Sequence, residues 1–256
     1  AGAFSVTAIG AFALKSAIDF EQAGFIIRRA TGAIGDNLAS LKGSFEAVYQ
    51  TSGKSAEEIA KALSRIAVET QTTGKALETL TSYNLKFAKV IGGDVQQSIK
   101  STQEVFKNWG IEAGNQAASL DTLYRVMQAT GIGFERLTAS MTEAAPIMRT
   151  MGFTFEQTAA FVGMLEEKGV NAGQAISVMS RLLAKFAKDT GDPVAALKML
   201  NEKILGAKTS AEALHLVMGG GGTRGGAALV RYVDLVRRGG ETMDQFDTRL
   251  KGMTDT

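Results

Sequence analysis

Regularly spaced glycines are the feature of this 256-residue sequence that most limits its fold. Through the middle of the chain they recur at nearly even intervals: Gly53, Gly74, Gly92, Gly110, Gly131, Gly152, Gly169. Glycine adopts the left-handed backbone that commonly ends a helix. Every second one of these glycines recurs at an interval of about 40 residues, which is the length of a two-helix repeat. The spacing therefore predicts helices of about four turns, each followed by a short turn.

Helix-start signals follow many of these glycines. In the capping-box pattern, a short polar residue lies three positions before Glu or Gln. The pattern occurs at Ser55/Glu58, Thr154/Gln157, Thr209/Glu212 and Thr242/Gln245. Looser variants are Asp94/Gln97 and Asn171/Gln174, and Asp192 precedes Pro193 at a first helical position. Glutamates also recur in predicted first turns, where the helix dipole favours negative charge: Glu57, Glu135 and Glu156. These positions are explained by helix capping and predict no catalysis.

Apolar residues recur with the helical period of 3.6 throughout the chain. Five stripes are Ile59, Leu63, Ile66; Val95, Ile99, Phe106; Phe134, Leu137, Met141, Met148; Phe155, Ala159, Val162, Leu165; and Ile176, Met179, Leu183, Phe186. Alternating strand-like patterns are hard to find. We predict an all-α fold: an array of antiparallel helical hairpins, elongated or solenoid-like, with a flexible glycine-rich hinge before a C-terminal helical segment.

Three segments are predicted along the chain. Residues 1–50 form a long helix, broken near "TGAIGD", and a connecting helix from Asp36 to Tyr49. Residues 51–190 form the helical-hairpin core, and residues 191–256 form short helices with the hinge at 219–226.

The composition leaves few residues for chemistry. There is no cysteine and His215 is the only histidine, so disulfides, thiol nucleophiles and His-His or Cys metal sites are excluded. The net charge of +2 gives no reason to expect sequence-specific nucleic-acid binding. We predict no catalytic, cofactor-binding or metal-binding residues, and no enzyme activity. His215 is expected to be partly buried and structural, and Trp109 to pack at a helix end.

The paired carboxylates receive a structural interpretation as well. Neighbouring residues on a helix point about 100° apart, so the pairs Glu57-Glu58 and Glu166-Glu167 do not form converging acid/base pairs. We expect both pairs on solvated helix faces.

The stretch "MGGGGTRGG" contains a literal G-x-G-x-x-G at Gly220, Gly222 and Gly225. A dinucleotide site needs a strand before this pattern, and here a helix is predicted. A phosphate loop needs Lys-Ser/Thr where this chain has Gly226-Ala227. The stretch is therefore predicted to be a hinge, with Arg224 and Arg231 as candidate partner contacts; the hinge residues are Gly219, Gly220, Gly221, Gly222, Gly225 and Gly226.

Several segments resemble the core of phage tail tape measure proteins. They are "SAIDFEQAGFIIRRATGA", "TSGKSAEEIAKALSRIAVETQTTGKAL" and "TGIGFERLTASMTEAAPIMRTMGFTFEQTAAFVGMLEEKGVNAGQAISVMSRLLAKF". The most characteristic parts are the glycine-led helix starts and "MLEEKGVNAGQAISVMSRLL". The resemblance covers roughly residues 17–240. At Met218-Gly219 the chain departs from the phenylalanine-glycine-rich turn that is typical of such cores.

The resemblance implies a structural virion protein that is a piece of a longer polypeptide. It would set tail length, fill the lumen of the tail tube, and leave the tube during DNA ejection. The implied partners are tail tube protein, tail assembly chaperones, tail tip proteins, further copies of itself and, transiently, the host membrane. It would be found in the phage tail, and in the host cytoplasm during assembly.

Two alternatives stay open at this point. The apolar opening "AGAFSVTAIGAFAL", with the glycine run, is compatible with a membrane-active, pore-forming helical protein. That opening is nevertheless shorter than the ~20 residues that a membrane span needs. A helical enzyme could recruit only His215 and the glycine run.

Overall fold

The computed structural model describes residues 4–218, 226–240 and 242–252. Within those residues every regular element is an α-helix. The helices are α1 (Phe4–Thr31), α2 (Gly35–Ser52), α3 (Ala56–Thr70), α4 (Gly74–Ile91), α5 (Val95–Trp109), α6 (Ala113–Thr130), α7 (Phe134–Thr150), α8 (Phe155–Glu167), α9 (Ala172–Thr190), α10 (Pro193–Gly206), α11 (Ser210–Met218), α12 (Gly226–Arg237) and α13 (Met243–Gly252). The predicted all-α helical array is confirmed.

The predicted glycine turns are present. All seven spaced glycines have positive φ, between 56° and 87°. Six follow the end of a helix, whereas Gly74 is the first residue of α4. The end of α3 uses Gln71 instead, at φ 56°, and its backbone N–H donates to the carbonyl of Ala67 at 2.9 Å. The spacing of the glycines thus predicts where helices end, except at α3, which ends at Gln71 and not at a glycine.

The predicted caps also form. Each capping side chain before α3, α5, α8, α9, α10, α11 and α13 accepts a backbone N–H from two or three residues further on, at 2.8–3.3 Å. At α8 the capping box is reciprocal, because the Thr154 N–H donates to Gln157 at 2.9 Å while Thr154 Oγ1 accepts from the Gln157 N–H. Such caps satisfy N–H groups that have no partner inside the helix.

The chain divides into two compact units. The first contains residues 1–103 and 111–117. In it α1 packs mainly on α3, and α2 on α4. The apolar core includes Ile27, Phe45, Ile59 and Leu63, all buried. Ile66, the last residue of the predicted α3 stripe, is buried in the same core. The α3 stripe predicted from the sequence is therefore a core face.

The second unit contains residues 104–110 and 118–256. Its α8 contacts α7, α9 and α13, and α9 in turn packs on α10. Every residue of α8 from Thr158 to Glu166 is buried. A helix that is buried all round lies in the interior of a helical assembly. The predicted stripe on α8 is present, but the opposite side of the helix is covered as well.

The boundaries of the three predicted segments remain a prediction. The hinge glycines 219–222 and 225 and the candidate contact Arg224 lie outside the described residues, and Gly226 is the first residue of α12.

Candidate functional site

A buried carboxylate joins three helices of the second unit. The Glu166 side chain, at the end of α8, is only 1% exposed. Its Oε1 accepts from Ser140 Oγ on α7 at 3.1 Å and from the Ala172 N–H at the start of α9 at 2.9 Å. Its Oε2 forms an ion pair with Arg136 of α7. One side chain thus fixes the relative positions of α7, α8 and α9.

This finding corrects the sequence interpretation of the second carboxylate pair. Glu166 does not lie on a solvated face, and Glu167 is partly buried. The prediction was wrong because a buried helix end places a carboxylate where only neighbouring helices can supply partners. Glu57 does lie on a solvated face, with its side chain 66% exposed.

Glu167 anchors the C-terminal helix. Its Oε2 accepts from Arg249 Nη2 of α13 at 2.7 Å, and the same guanidinium donates to the carbonyl of Ala129 at 3.0 Å. The guanidinium also lies 4.5 Å from the ring centroid of Phe246, which is buried. The hydrogen bond to Glu167 thus ties α13 to the end of α8, and the one to Ala129 ties it to the end of α6.

A cationic pocket lies beside the C-terminal end of α8. It has a volume of about 380 Å³ and is lined by Lys168, Arg231, Asp234, Leu235, Arg238 and Gly240. The Arg231 guanidinium donates to the carbonyl of Gly169 at 2.5 Å. The Arg238 Nε donates to Asp234 at 2.8 Å, one helical turn away on α12. We name this feature the α8–α12 pocket.

The α8–α12 pocket contains Arg231, which was named from the sequence as a candidate partner contact. Lys168 and Arg238 were not identified from the sequence, because they are far apart in the chain and only the packing of α12 brings them together. The "EEKG" at residues 166–169, charged residues ending an apolar helix, is the one local signal that could have marked this end of α8.

The sole tryptophan and the sole histidine were both predicted to be structural residues, and their surroundings differ. Trp109 packs at a helix end as predicted: it is buried, its Nε1 donates to the carbonyl of Met141 at 3.0 Å, and its ring meets Phe155 edge-on at 5.7 Å. His215 was expected to be partly buried, and this is wrong, because its side chain on α11 is exposed. The short α11 buries Ala213 and Val217 instead.

Neither a metal site nor a membrane span is found in the described part of the chain. No group of three or more His, Asp or Glu side chains there is arranged to hold a metal ion. Over the same residues, no helix combines the length and the apolar character needed to cross a bilayer.

Comparison with known proteins identifies the class. The family model of the phage-related minor tail proteins matches residues 45–256, and the chain therefore belongs to that family. Two relatives are more specific. The tape measure protein of Pneumococcus phage Dp-1 is 24% identical over 190 residues, which is 74% of this chain. The probable tape measure protein of Escherichia phage P2 is 28% identical over 98 residues, which is 38% of this chain. The resemblance to tail tape measure proteins is confirmed.

The chain spans only a small part of these relatives. It covers 16% of the Dp-1 protein and 12% of the P2 protein. No solved structure matches the chain.

Proposed function

We propose that the chain is the core segment of a phage tail tape measure protein, with a structural and not an enzymatic role. In the assembled tail it occupies the lumen of the tail tube, contributes to tail length and leaves the tube during DNA ejection. The observation that supports this proposal is the family match over residues 45–256, joined by two relatives that carry the name tape measure protein.

The packing suits a protein that has to pass through a tube. Most helix pairs in contact lie one or two places apart in the chain, such as α1 with α3 and α9 with α10. Local contacts of this kind can be released one helix after another. The sequence has no cysteine, so no disulfide would need reduction first. We infer that the segment can unfold stepwise during ejection.

The partners that we propose are the tail tube protein, the tail assembly chaperones, the tail tip proteins and further copies of the chain. Assembly would bring these together in the host cytoplasm before the segment enters the virion. Charged side chains that point into solvent on α3 and in the turn after α12 offer polar contacts to such partners, and they include Glu57, Lys61 and Arg238.

The folded state has a consequence for tail length. A continuous helix rises about 1.5 Å per residue, so 256 residues in one extended helix would reach about 380 Å. A compact unit of about 100–150 residues has a radius of gyration of about 13–15 Å, or a diameter of about 35 Å. Two such units add no more than about 70 Å. We infer that this segment adds far less length per residue than an extended helix.

An in-frame deletion of the segment from the complete tail protein tests the structural role and the small contribution to tail length. Tails are imaged by negative-stain electron microscopy, and the shift in mean tail length is measured against the parent phage. We expect mass spectrometry to find the segment in parent tails. We expect the deletion either to block assembly or to shorten the tails by no more than the length of two compact units, about 70 Å.

Two outcomes would contradict these statements. Absence of the segment from purified tails would overturn the structural role. Shortening by about 380 Å, the length of one continuous helix, would show that the segment is extended in the tail.

A further inference from the structure

We propose that the α8–α12 pocket binds a carboxylate-bearing segment of a partner protein. The proposal adds a partner chemistry to the tail role proposed above and rests on it for the identity of the partner as a protein. The binding itself follows from the geometry of the pocket.

The α8–α12 pocket carries an excess of positive charge. Three cationic side chains line the pocket, Lys168, Arg231 and Arg238, against the single carboxylate of Asp234. Asp234 is already engaged with Arg238 at 2.8 Å. The nearby Glu167 is engaged with Arg249 at 2.7 Å and lies 3.5 Å from Lys168. Among the described residues Arg231 forms no ion pair, since its contact is the neutral carbonyl of Gly169. An anion is therefore the complementary ligand.

Both guanidinium groups keep most of their N–H donors available for a ligand. Arg231 donates to the Gly169 carbonyl and Arg238 to Asp234, and both arginines are exposed at the surface. An Arg side chain has five N–H donors, and these contacts use only one of them in each case. The remaining donors can bind a carboxylate in the bidentate geometry that Arg favours.

The cations of the pocket suit a single carboxylate better than a nucleic-acid backbone. Phosphate-backbone binding requires cations that continue along a groove or stripe. Here the next arginine, Arg237, turns away and donates to the carbonyls of Ile204 and Ala207 at 3.2 and 2.7 Å. The pocket is limited to about 380 Å³, and Leu235 supplies an apolar wall. A space of this size takes one or two side chains, such as an acidic residue beside an apolar one.

The pocket wall is also tightly packed at its rim. A Cβ added at Gly240 would lie 2.7 Å from the carbonyl oxygen of Leu235 and 2.4 Å from its Cδ1. The turn that follows α12 is thus in close contact with the helix at a position where only glycine fits without displacing Leu235.

The experiment measures binding to the full chain by fluorescence anisotropy. The probe is a fluorescein-labelled ten-residue peptide of alternating Glu and Leu with a Gly-Ser linker, and the comparison probes are its Gln-for-Glu counterpart and a short DNA duplex. The pocket variant is Lys168→Gln with Arg238→Gln, which keeps the Arg231 contact to the Gly169 carbonyl. We expect the acidic peptide to bind the parent chain at least tenfold more tightly than the Gln peptide, and the pocket variant to lose at least tenfold in affinity.

The matched control is Arg149→Gln. Arg149 donates to the carbonyl of Asn108, close to the end of α5, much as Arg231 does near the end of α8, but Arg149 lies outside the pocket. The control should retain parent affinity, and circular dichroism checks that all variants fold. Equal binding of the Gln peptide, tighter binding of the DNA duplex, or equal losses in the control and the pocket variant would each overturn the proposal. The assay uses the purified chain and does not depend on tail assembly. A failure to bind the peptide would therefore overturn this proposal and leave the tail role standing, and absence of the chain from tails would overturn the tail role without affecting the binding result.

Discussion

The buried Glu166 carboxylate gives the sharpest test of the structure. Replacing it by Ala removes an ion pair with Arg136 and leaves the Ser140 hydroxyl and the Ala172 N–H without their acceptor inside the protein. A buried donor left without a partner costs about 1–3 kcal/mol. Breaking a buried charged group's contacts as a whole costs about 3–5 kcal/mol. The exposed position of the Arg136 side chain places Glu166→Ala near the lower end of that range.

A Gln substitution separates the hydrogen bonds from the charge. The Gln oxygen can still accept from Ser140 and Ala172, while the amide NH₂ faces the Arg136 guanidinium, which has only donors. The Arg136 side chain is 58% exposed, so water solvates its guanidinium once the ion pair is gone, and the loss of this pair should cost about 1 kcal/mol. We therefore expect stability to decrease in the order parent, Glu166→Gln, Glu166→Ala.

Trp109 provides the assay. It is the sole tryptophan, and it is buried in the second unit, the unit that also contains Glu166. Its fluorescence during urea unfolding therefore reports on the unit that the substitution perturbs. For a chain of this size each kcal/mol shifts the thermal midpoint by roughly 2–4 °C. A cost of about 3 kcal/mol for Glu166→Ala should therefore lower the midpoint by roughly 6–12 °C.

The control is Glu57→Gln on the exposed face of α3. Glu57 pairs with Lys61 at 2.5 Å, and the hydrogen bond and charge of Lys61 lower the pKa of the Glu57 carboxyl. Exposed pairs of this kind contribute little. We expect no measurable change in the stability of the first unit, which is followed by far-UV circular dichroism because Trp109 lies in the second unit. Equal effects of the Gln substitutions at Glu57 and Glu166, or a fully stable Glu166→Ala protein, would refute the placement of Glu166 between three helices.

Three further predictions concern packing and ionisation. Leu63→Asp, at a fully buried site, should cost on the order of 3 kcal/mol or more in chemical denaturation because it buries an unpaired charge; tolerance would contradict the α3 face assignment. Gly163→Ala should cost about 1–3 kcal/mol of stability, because its Cβ would lie 2.5 Å from a neighbouring side chain. Gly43→Ala, in open space within α2, should instead stabilise the protein by about 0.5–1 kcal/mol. Thermal midpoints that shift in the same direction in both variants would contradict the packing of α8. Tyr232→Phe removes the 2.6 Å hydrogen bond to Asn201 and should cost about 1 kcal/mol. Burial raises the pKa of the Tyr232 phenol, so the parent should also lose stability as the pH rises above about 10, the unfolded value, and the Phe variant should lose less; parallel pH profiles would contradict this.

The local structure was accessible from the sequence because it depends on neighbouring residues. A turn at Gly131, a cap at Thr154 and the stripe through Leu63 each follow from residues a few positions apart. How many helices surround a given helix does not follow from such patterns. The same period of 3.6 fits α3, with one buried face, and α8, which is buried all round, so the sequence could not show that Glu166 is covered.

The candidate site illustrates the same limit over a longer range. Lys168 and Arg238 are 70 positions apart, and no local periodicity connects them. Arg231 was identified only because it follows the glycine run, and its contact with Gly169 depends on how α12 packs beside the terminal turn of α8. The glycine run itself stays a predicted hinge.

The central claim is that this chain is a folded helical segment inside the phage tail. Cryo-electron microscopy of assembled tails, reconstructed without imposed symmetry, tests it most directly. The account predicts density within the lumen that fits α7, α8 and α9 packed around Glu166, lost in particles from which the segment has been deleted. A lumen that contains only a continuous extended helix in the corresponding region, or segment density found only outside the tube, would contradict it.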